Sequence, residues 1–478
     1  MPHNHACATA SFTPEAHSFD PEILREYDIR GQVGDTLCEQ DAYSLGLAFG
    51  TYIVRQGGSR ICVGFDGRHS SPALSSALIE GLVATGIAVE NVGLGPSPML
   101  YFAVKDLMTD AGIMVTGSHN PSSYNGFKMM LQGGPVFGGM IQDIGKIAAA
   151  GDFETGTGSV RALDVREDYV NRLLRDCNAT ADNVRKIAWD CGNGAGGEIV
   201  RMLTARLPGD HILLFDEIDG AFPNHHPDPT VDDNLAALIE TVRREKCDFG
   251  VAFDGDADRI GVVDENGTII RCDMLLALYA REILEDRPGA PIIADVKCSQ
   301  ALFDEIERMH GMAVMWKTGH SLIKNKMAEL KAPLAGELSG HIFFADKWYG
   351  FDDGIYCAIR LLNEICESDD PLSAMTAHFP DIYNTPEIRI EVDEREKFDI
   401  VEKITESIKS LESDEYKVDD IDGIRVTGRS GWWLVRASNT QNALVMRAEA
   451  DTPENLDLMK NMLRNEIRKH GYDITFPE

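Results

Sequence analysis

Apolar and polar positions along the chain fall into repeating blocks. The stretch "RICVGFDGRHSSPALSSALIEGLVATGIAVENVGL" (60–94) predicts a strand, a turn, a helix and a second strand, and "SPMLYFAVKDLMTDAGIMVT" (97–116) adds a helix and a strand. Apolar strands alternating with helical patterns mark βαβ units and a mainly parallel sheet. The same grammar restarts at "RKIAWDCGNGAGGEIVRMLTARL" (185–207), leading to "HILLFDEID", and again at "APIIADVKCSQALFDEIERM" (290–309), leading to "AVMWKTG". From about residue 385 the pattern changes: "EIRIEVDE", "YKVDDIDGIRVTG", "GWWLVRASNT" and "ALVMRAEAD" alternate as strands, with helices over "FDIVEKITESIKSL" and "PENLDLMKNMLRNEI". Three similar α/β units followed by a smaller α+β unit are therefore expected.

Length agrees: 478 residues is too long for one core and suits three or four domains of roughly 100–200 residues each. Gly- and Pro-rich joints near 150–158 and 377–386 are expected boundaries. The first residues, without Lys or Arg before Arg25 and without an apolar run, read as a flexible leader rather than a secretion signal. A formal charge of −32 argues against nucleic-acid and anionic-membrane partners, so an anionic substrate needs a local basic patch. No apolar run approaches the roughly 18 residues of a membrane span. The ten cysteines are scattered singly without a CxxC pair, which points to free thiols in a reducing cytosol.

Four stretches carry chemistry. "GIMVTGSHNP" (112–121) ends a buried strand in a turn, where Ser118 is either a turn residue or a nucleophile held at a strand end. "FGVAFDGDADRIGVVDENG" (249–267) places Asp254, Asp256 and Asp258 between two apolar strands, where three close carboxylates repel unless a hard cation joins them. A calcium EF-hand fails because Arg259 stands where glycine is required and the flanks are strands. Mg2+ completed by a phosphate oxygen fits, with Arg259 as a positive fork for the same phosphate. In "PLAGELSGHIFF" (333–344), Glu337, Ser339 and His341 alternate, so an extended segment would turn all three to one face, suited to sugar hydroxyls. "RASNT" gathers Arg436, Ser438, Asn439 and Thr440 into one compact phosphate grip, and Arg30, Lys128 and His320 stand in short Gly-containing contexts.

"DCGNGAGG" (190–197) follows a strand and opens a helix, with Gly192, Gly194 and Gly197 matching GxGxxG and Asp216 ending the next strand. That fingerprint opens a nicotinamide-dehydrogenase alternative, against the plainer reading of a tight strand-to-helix packing turn.

Together these stretches resemble the α-D-phosphohexomutase family, most nearly its bacterial phosphomannomutase/phosphoglucomutase branch. "TGSHNP", "DGDADR", "GELSGH" and "RASNT" occur in the family's order, as phosphoserine, metal, sugar and phosphate loops, and the likeness runs from "EYDIRG" to "RASNT". The resemblance implies four domains around a central cleft: three similar α/β mixed-sheet domains (19–160, 161–268, 269–380) behind a leader (1–18), and a smaller C-terminal α+β domain (381–478) that closes over substrate. It implies that Ser118 carries the phosphoryl group beside Mg2+ held by Asp254, Asp256 and Asp258. Glu337 and Ser339 would select sugar hydroxyls, and Arg436, Ser438, Asn439 and Thr440 would grip the non-reacting phosphate. Tyr27, Arg30, His119, Asn120, Lys128, Arg259, Lys297, His320 and His341 would line the cleft.

The implied activity is a cytoplasmic isomerase moving phosphate between the 1- and 6-oxygens of a hexose through glucose 1,6-bisphosphate or mannose 1,6-bisphosphate. Its partners are small sugar phosphates, and the chain is a monomer or a dimer. Lys128 or a histidine is the expected general base. A phosphoglucosamine mutase on the same scaffold is the near alternative, disfavoured because that branch usually carries Gln where Leu338 stands. The family's usual Ala in TASHNP is Gly117 here, which is expected to add backbone freedom beside the nucleophile. After "RASNT", Gln441-Asn442 stands where relatives usually have a proline, which predicts a less rigid phosphate loop.

Overall fold

The computed structural model describes residues 12–368, 370–393, 395–409, 415–439 and 442–476. Three sheets repeat one plan. In the first, strand Arg60–Phe65 pairs in parallel with Ala88–Leu94 on one side and Ala111–Val115 on the other, and Ala111–Val115 turns back as antiparallel Tyr124–Leu131. In the second, Arg185–Asp190 takes the central place between Gly209–Leu214 and Phe249–Phe253, and Phe249–Phe253 turns back as Ile260–Asp264. In the third, Pro291–Asp295 lies between Met312–Trp316 and Leu334–Gly336, and Ile342–Phe344 is the returning strand. The central strands read as near-continuous apolar runs because helices cover both faces, as parallel sheets require.

This plan explains where the chemistry sits. In each domain the link from the third strand to its antiparallel return emerges at the carboxyl end of parallel strands, the edge where open α/β sheets bind ligands. The three links are residues 116–123, 254–259 and 337–341, which are the TGSHNP, DGDADR and ELSGH stretches. One connection, used three times, presents all three loops.

The fourth sheet is antiparallel, built on Gly431–Ala437 paired with Ile424–Gly428 and Ala443–Ala450, and covered by helices Lys397–Lys409 and Pro453–Lys469. It docks on the third domain through buried arginines. Arg425 donates to the Val296 (2.7 Å) and Cys298 (2.8 Å) carbonyls and stacks 3.8 Å from the Trp432 ring centroid.

Several expectations change. Sheet pairing carries the first sheet through Ser159–Ala162, so a boundary at 160 cuts a strand, and the second sheet through Ile269–Ile270, two residues past a boundary at 268. The described part of the leader is docked, not free: Phe12 stacks on Tyr43 with ring centroids 4.9 Å apart, and His17 Nε2 meets Asp41 Oδ1 at 2.7 Å. The Glu337–His341 segment is a hairpin turn, not an extended strand, closed by Gly340 N–H donating to the Glu337 carbonyl (3.1 Å), with Gly340 at φ +97°. The nine described cysteines are free thiols, and no described helix is long and apolar enough to cross a membrane.

Candidate active site

Ser118 follows the fully buried strand Ala111–Val115 and lies in the left-handed region, φ +49°, uncommon for any residue but glycine. Its Oγ donates to Asp254 Oδ2 at 2.9 Å and sits 3.2 Å from His119 Nδ1. The loop is pressed against the metal loop: a Cβ on Gly255 would lie 2.4 Å from the Ser118 carbonyl oxygen. Behind both lies the glycine turn, where a Cβ on Gly194 would lie 2.9 Å from the Gly255 oxygen and one on Gly197 would lie 2.1 Å from the Asp216 oxygen. Asp216 itself accepts from Arg201 Nε at 2.8 Å. The GxGxxG spacing is therefore close packing, and its acidic partner is occupied by an arginine rather than presented to a ribose.

Asp254, Asp256 and Asp258 are fully buried and bring carboxylate oxygens within 4.8 Å of one another. Asp254 Oδ1 accepts from the Asp258 and Arg259 backbone N–H groups, each at 3.1 Å, which curls the loop around the cluster. Burial, together with Asp258 and Asp256, pushes the Asp254 carboxyl well above its ordinary range. Burial also favours neutral Asp258, but Lys128 and His341 outweigh it and hold that carboxyl well below its usual value. Lys128 Nζ bridges Asp256 Oδ2 (2.7 Å) and Asp258 Oδ2 (2.5 Å), while Asp256 Oδ1 is buried without a hydrogen-bond donor and Asp258 Oδ1 faces His341 Nε2 at 3.3 Å. Three converging buried carboxylates, one with an orphaned oxygen, beside a strained serine are the donor set a hard divalent cation takes. The residues fit a metal.

The charges bear on which groups can act as bases. Burial lowers Lys128's pKa, but Asp256 and Asp258 reverse this and raise it well above normal, so as placed it is a cation and a poor base. His119 is held far below an ordinary imidazole by burial and by Arg259 and Arg30, and His320 by burial and Lys324. His341 goes the other way. Burial and Arg259 disfavour its cation, but Asp258 and Glu337 prevail and its pKa rises to about 9. The surroundings thus disfavour the imidazolium at His119 and His320 and favour it at His341.

The remaining expected residues converge from three domains. Arg30 donates to Asn120 Oδ1 (2.9 Å) and Asp28 Oδ2 (2.5 Å). The Tyr27 hydroxyl donates to the Thr318 carbonyl at 2.7 Å and accepts from the Asn439 side chain, joining first, third and fourth domains. Glu337 spans Gly319 N–H (2.6 Å) and His341 Nδ1 (2.9 Å), and Ser339 Oγ lies 3.4 Å from the same imidazole nitrogen. Lys297 donates to Glu387 Oε2 at 3.1 Å, across the third and fourth domains. Arg436 Nε donates to Asp422 Oδ2 at 2.8 Å, and Ser438 N–H bonds the Ala443 carbonyl at 2.9 Å. Thr440 and Gln441 lie outside the described residues.

Sequence reasoning missed four residues here. Asp422 holds both Arg436 and the Thr318 N–H. Asp352 faces His320 (3.7 Å) and His341 (3.9 Å) while bonding Lys324 (2.9 Å). Asp66 and Arg68 underlie the Ser118 loop. A signal existed for Asp66: each central strand runs into an aspartate, in "GFDG", "AWDC" and "IADV", and Asp66, Asp190 and Asp295 are all buried. Gly117 is also corrected. Its φ is not positive, and what it supplies is room, since a Cβ there would lie 2.5 Å from Arg68 Cζ and 2.8 Å from the Tyr124 oxygen.

Known proteins resemble this chain along nearly its whole length. Four domain models match in order: phosphoglucomutase/phosphomannomutase alpha/beta/alpha domain I over residues 21–155, domain II over 167–267, domain III over 271–383, and the C-terminal domain over 387–466. The chain is 45% identical over 465 residues to a phosphomannomutase/phosphoglucomutase of Pseudomonas aeruginosa, covering 97% of this chain and 99% of that one. It is 41% identical over 458 residues to a phosphoglucomutase of Neisseria gonorrhoeae, covering 95% and 98%. A crystal structure of a phosphoglucomutase/phosphomannomutase family protein from Burkholderia thailandensis superposes with a TM-score of 0.89 at 41% identity, covering 96% of this chain and all of that one. The chain belongs to the phosphoglucomutase/phosphomannomutase family of α-D-phosphohexomutases.

Proposed function

We propose that this chain interconverts hexose 1-phosphate and hexose 6-phosphate, of mannose, glucose or both, through a phosphoserine at Ser118 and a hexose 1,6-bisphosphate intermediate. The observation that carries the reading is Ser118 itself: a serine in a left-handed turn, its Oγ 2.9 Å from the first aspartate of a buried acidic triad. Asp254, Asp256 and Asp258, beside Ser118, would hold a divalent cation, magnesium in this reading, which would supply positive charge to the transferring group.

The chain's own residues do the rest. Arg30, Lys128 and Arg259 supply fixed positive charge around the phosphoryl group, and His341, as an imidazolium, adds to it. A neutral His119 or His320 suits the acceptor of the incoming hydroxyl's proton. Each Glu337 oxygen has a single partner and so keeps a lone pair for a sugar hydroxyl. Arg436, Ser438 and Asn439, with Thr440, hold the non-reacting phosphate at the far end of the cleft. The Tyr27–Asn439 and Asp422–Thr318 contacts close the fourth domain over it, excluding water that would otherwise intercept the phosphoenzyme. The free thiols support a cytosolic setting.

Steady-state rates on mannose 1-phosphate, glucose 1-phosphate and glucosamine 1-phosphate test the substrate class. The first two should turn over and the third should lag by at least about tenfold, the cost of a misplaced hydroxyl-for-amine contact. Comparable turnover of glucosamine 1-phosphate would overturn the assignment.

A further inference from the structure

Arg68 lies outside the reacting centre, yet its side chain makes four hydrogen bonds into the Ser118 loop and the strand that follows it. It follows the first central strand and its side chain is 0% exposed. A guanidinium has five N–H donors, and all five are used. Nε bonds Asp66 Oδ2 (3.1 Å), Nη1 bonds the Pro121 (2.6 Å) and Tyr124 (2.9 Å) carbonyls, and Nη2 bonds the Ser118 and Asn120 carbonyls, each at 2.6 Å. Asp66 extends the grip to Thr116 Oγ1 (2.8 Å) and Gly117 N–H (3.1 Å). The second domain caps the pair, with the Phe222 ring 5.2 Å from the guanidinium.

We propose that Arg68 is the positioning residue of the Ser118 loop, fixing its carbonyls so that Ser118 stays in the left-handed turn that aims Oγ at Asp254. Left-handed backbone at a non-glycine residue persists only where its surroundings over-determine it, and four carbonyl bonds from one rigid fork do so. With every donor engaged inside the protein, Arg68 has none left for substrate and acts through the loop. Gly117 is its clearance: a side chain there would enter the space the guanidinium fills. Lysine cannot substitute, because a single ammonium reaches at most a few of the four acceptors and from one point.

The inference rests on Ser118 being the phosphoryl carrier, and the test separates the two ideas. Arg68→Lys, Arg68→Gln and Ser118→Ala are purified by gel filtration. Each is mixed with glucose 1,6-bisphosphate and Mg2+, and Ser118 phosphorylation is followed by rapid-quench intact mass. A positioning role predicts that the rate constant of phosphorylation and kcat fall together by at least about 30-fold in Arg68→Lys, with KM for glucose 1-phosphate within threefold. A merely structural role lowers the fraction of protein that becomes phosphorylated and leaves the rate constant of that fraction unchanged, which overturns the proposal. Failure of both Arg68 variants to fold counts against it equally. Full turnover by Ser118→Ala would instead remove the carrier on which it rests.

Discussion

Gly255→Ala tests the contact between phosphoserine and metal loops at a single atom. The added methyl would sit 2.4 Å from the Ser118 carbonyl oxygen, with Ser118 C at 3.3 Å and Pro227 Cγ at 3.6 Å behind it. Carbon and oxygen tolerate about 3.2–3.4 Å, so the loops must part by nearly 1 Å, and neither side is a flexible side chain that swings away. The Ser118 loop is tied by Arg68, and the metal loop by Ser97 N–H on the Asp256 carbonyl (2.9 Å). A displacement of that size at the reacting centre costs about 10²-fold in rate, about 2.7 kcal/mol of barrier. Overpacking elsewhere costs about 1–3 kcal/mol of stability, so Tm should fall by only a few degrees. A coupled assay converting glucose 1-phosphate to glucose 6-phosphate should show kcat lowered about 100-fold with KM changed less than threefold. Gly133→Ala is the control, since nothing lies within 4 Å of its added methyl, and it should match the parent protein. A Gly255→Ala enzyme within threefold of the parent kcat would refute the claim that these loops are held in register by contact.

Other outcomes follow from the same geometry. Asp254→Asn removes the acceptor of Ser118 Oγ and one of three buried carboxylates, and should lower kcat by at least about 10³-fold and raise the Mg2+ concentration needed for half-activity. Tyr27→Phe loses the hydroxyl linking Asn439 to Thr318, worth about 1 kcal/mol, so KM should rise roughly three- to tenfold with kcat less affected. Burial opposes Glu387's ionisation, yet Lys297 and Arg389 bring its pKa down to about 2 from an ordinary 4.5. A folded-state pKa below the unfolded one adds stability at neutral pH that disappears as pH falls from about 4.5 towards 2. The Tm difference between the parent protein and Glu387→Gln should therefore be constant from pH 7 to about 5 and shrink below that; a difference that widens in acid would contradict the ion pair. NAD should leave tryptophan fluorescence unchanged, because Asp216 is committed to Arg201.

What was legible in the sequence was local. Strand-to-loop transitions at Val115 and Phe253 are marked by apolar runs stopping at polar clusters, and the acidic spacing of Asp254, Asp256 and Asp258 carries its own electrostatic logic. Distant partnership was not legible. Asp422 lies 104 residues from the Thr318 N–H it binds, and Arg68 lies 50 to 56 residues from the carbonyls it holds. No periodicity encodes such pairings, and "FDGR" reads as an ordinary turn. The sugar loop misled because alternation of Glu337, Ser339 and His341 fits a strand, whereas Gly340 at φ +97° folds the segment into a hairpin and aims Glu337 and His341 at each other through the turn. Lys128 stands beside the histidines as a candidate base in the sequence, and the two carboxylates that hold its ammonium, 128 and 130 residues away, were not legible as its partners.

The account stands on Ser118 as the phosphoryl carrier. Protein incubated with glucose 1,6-bisphosphate and Mg2+, digested and mapped by tandem mass spectrometry, should carry one phosphate, on the Ser118 peptide, and lose it when glucose 1-phosphate is added. Phosphate on another residue, or active enzyme with Ser118 never phosphorylated, would contradict it.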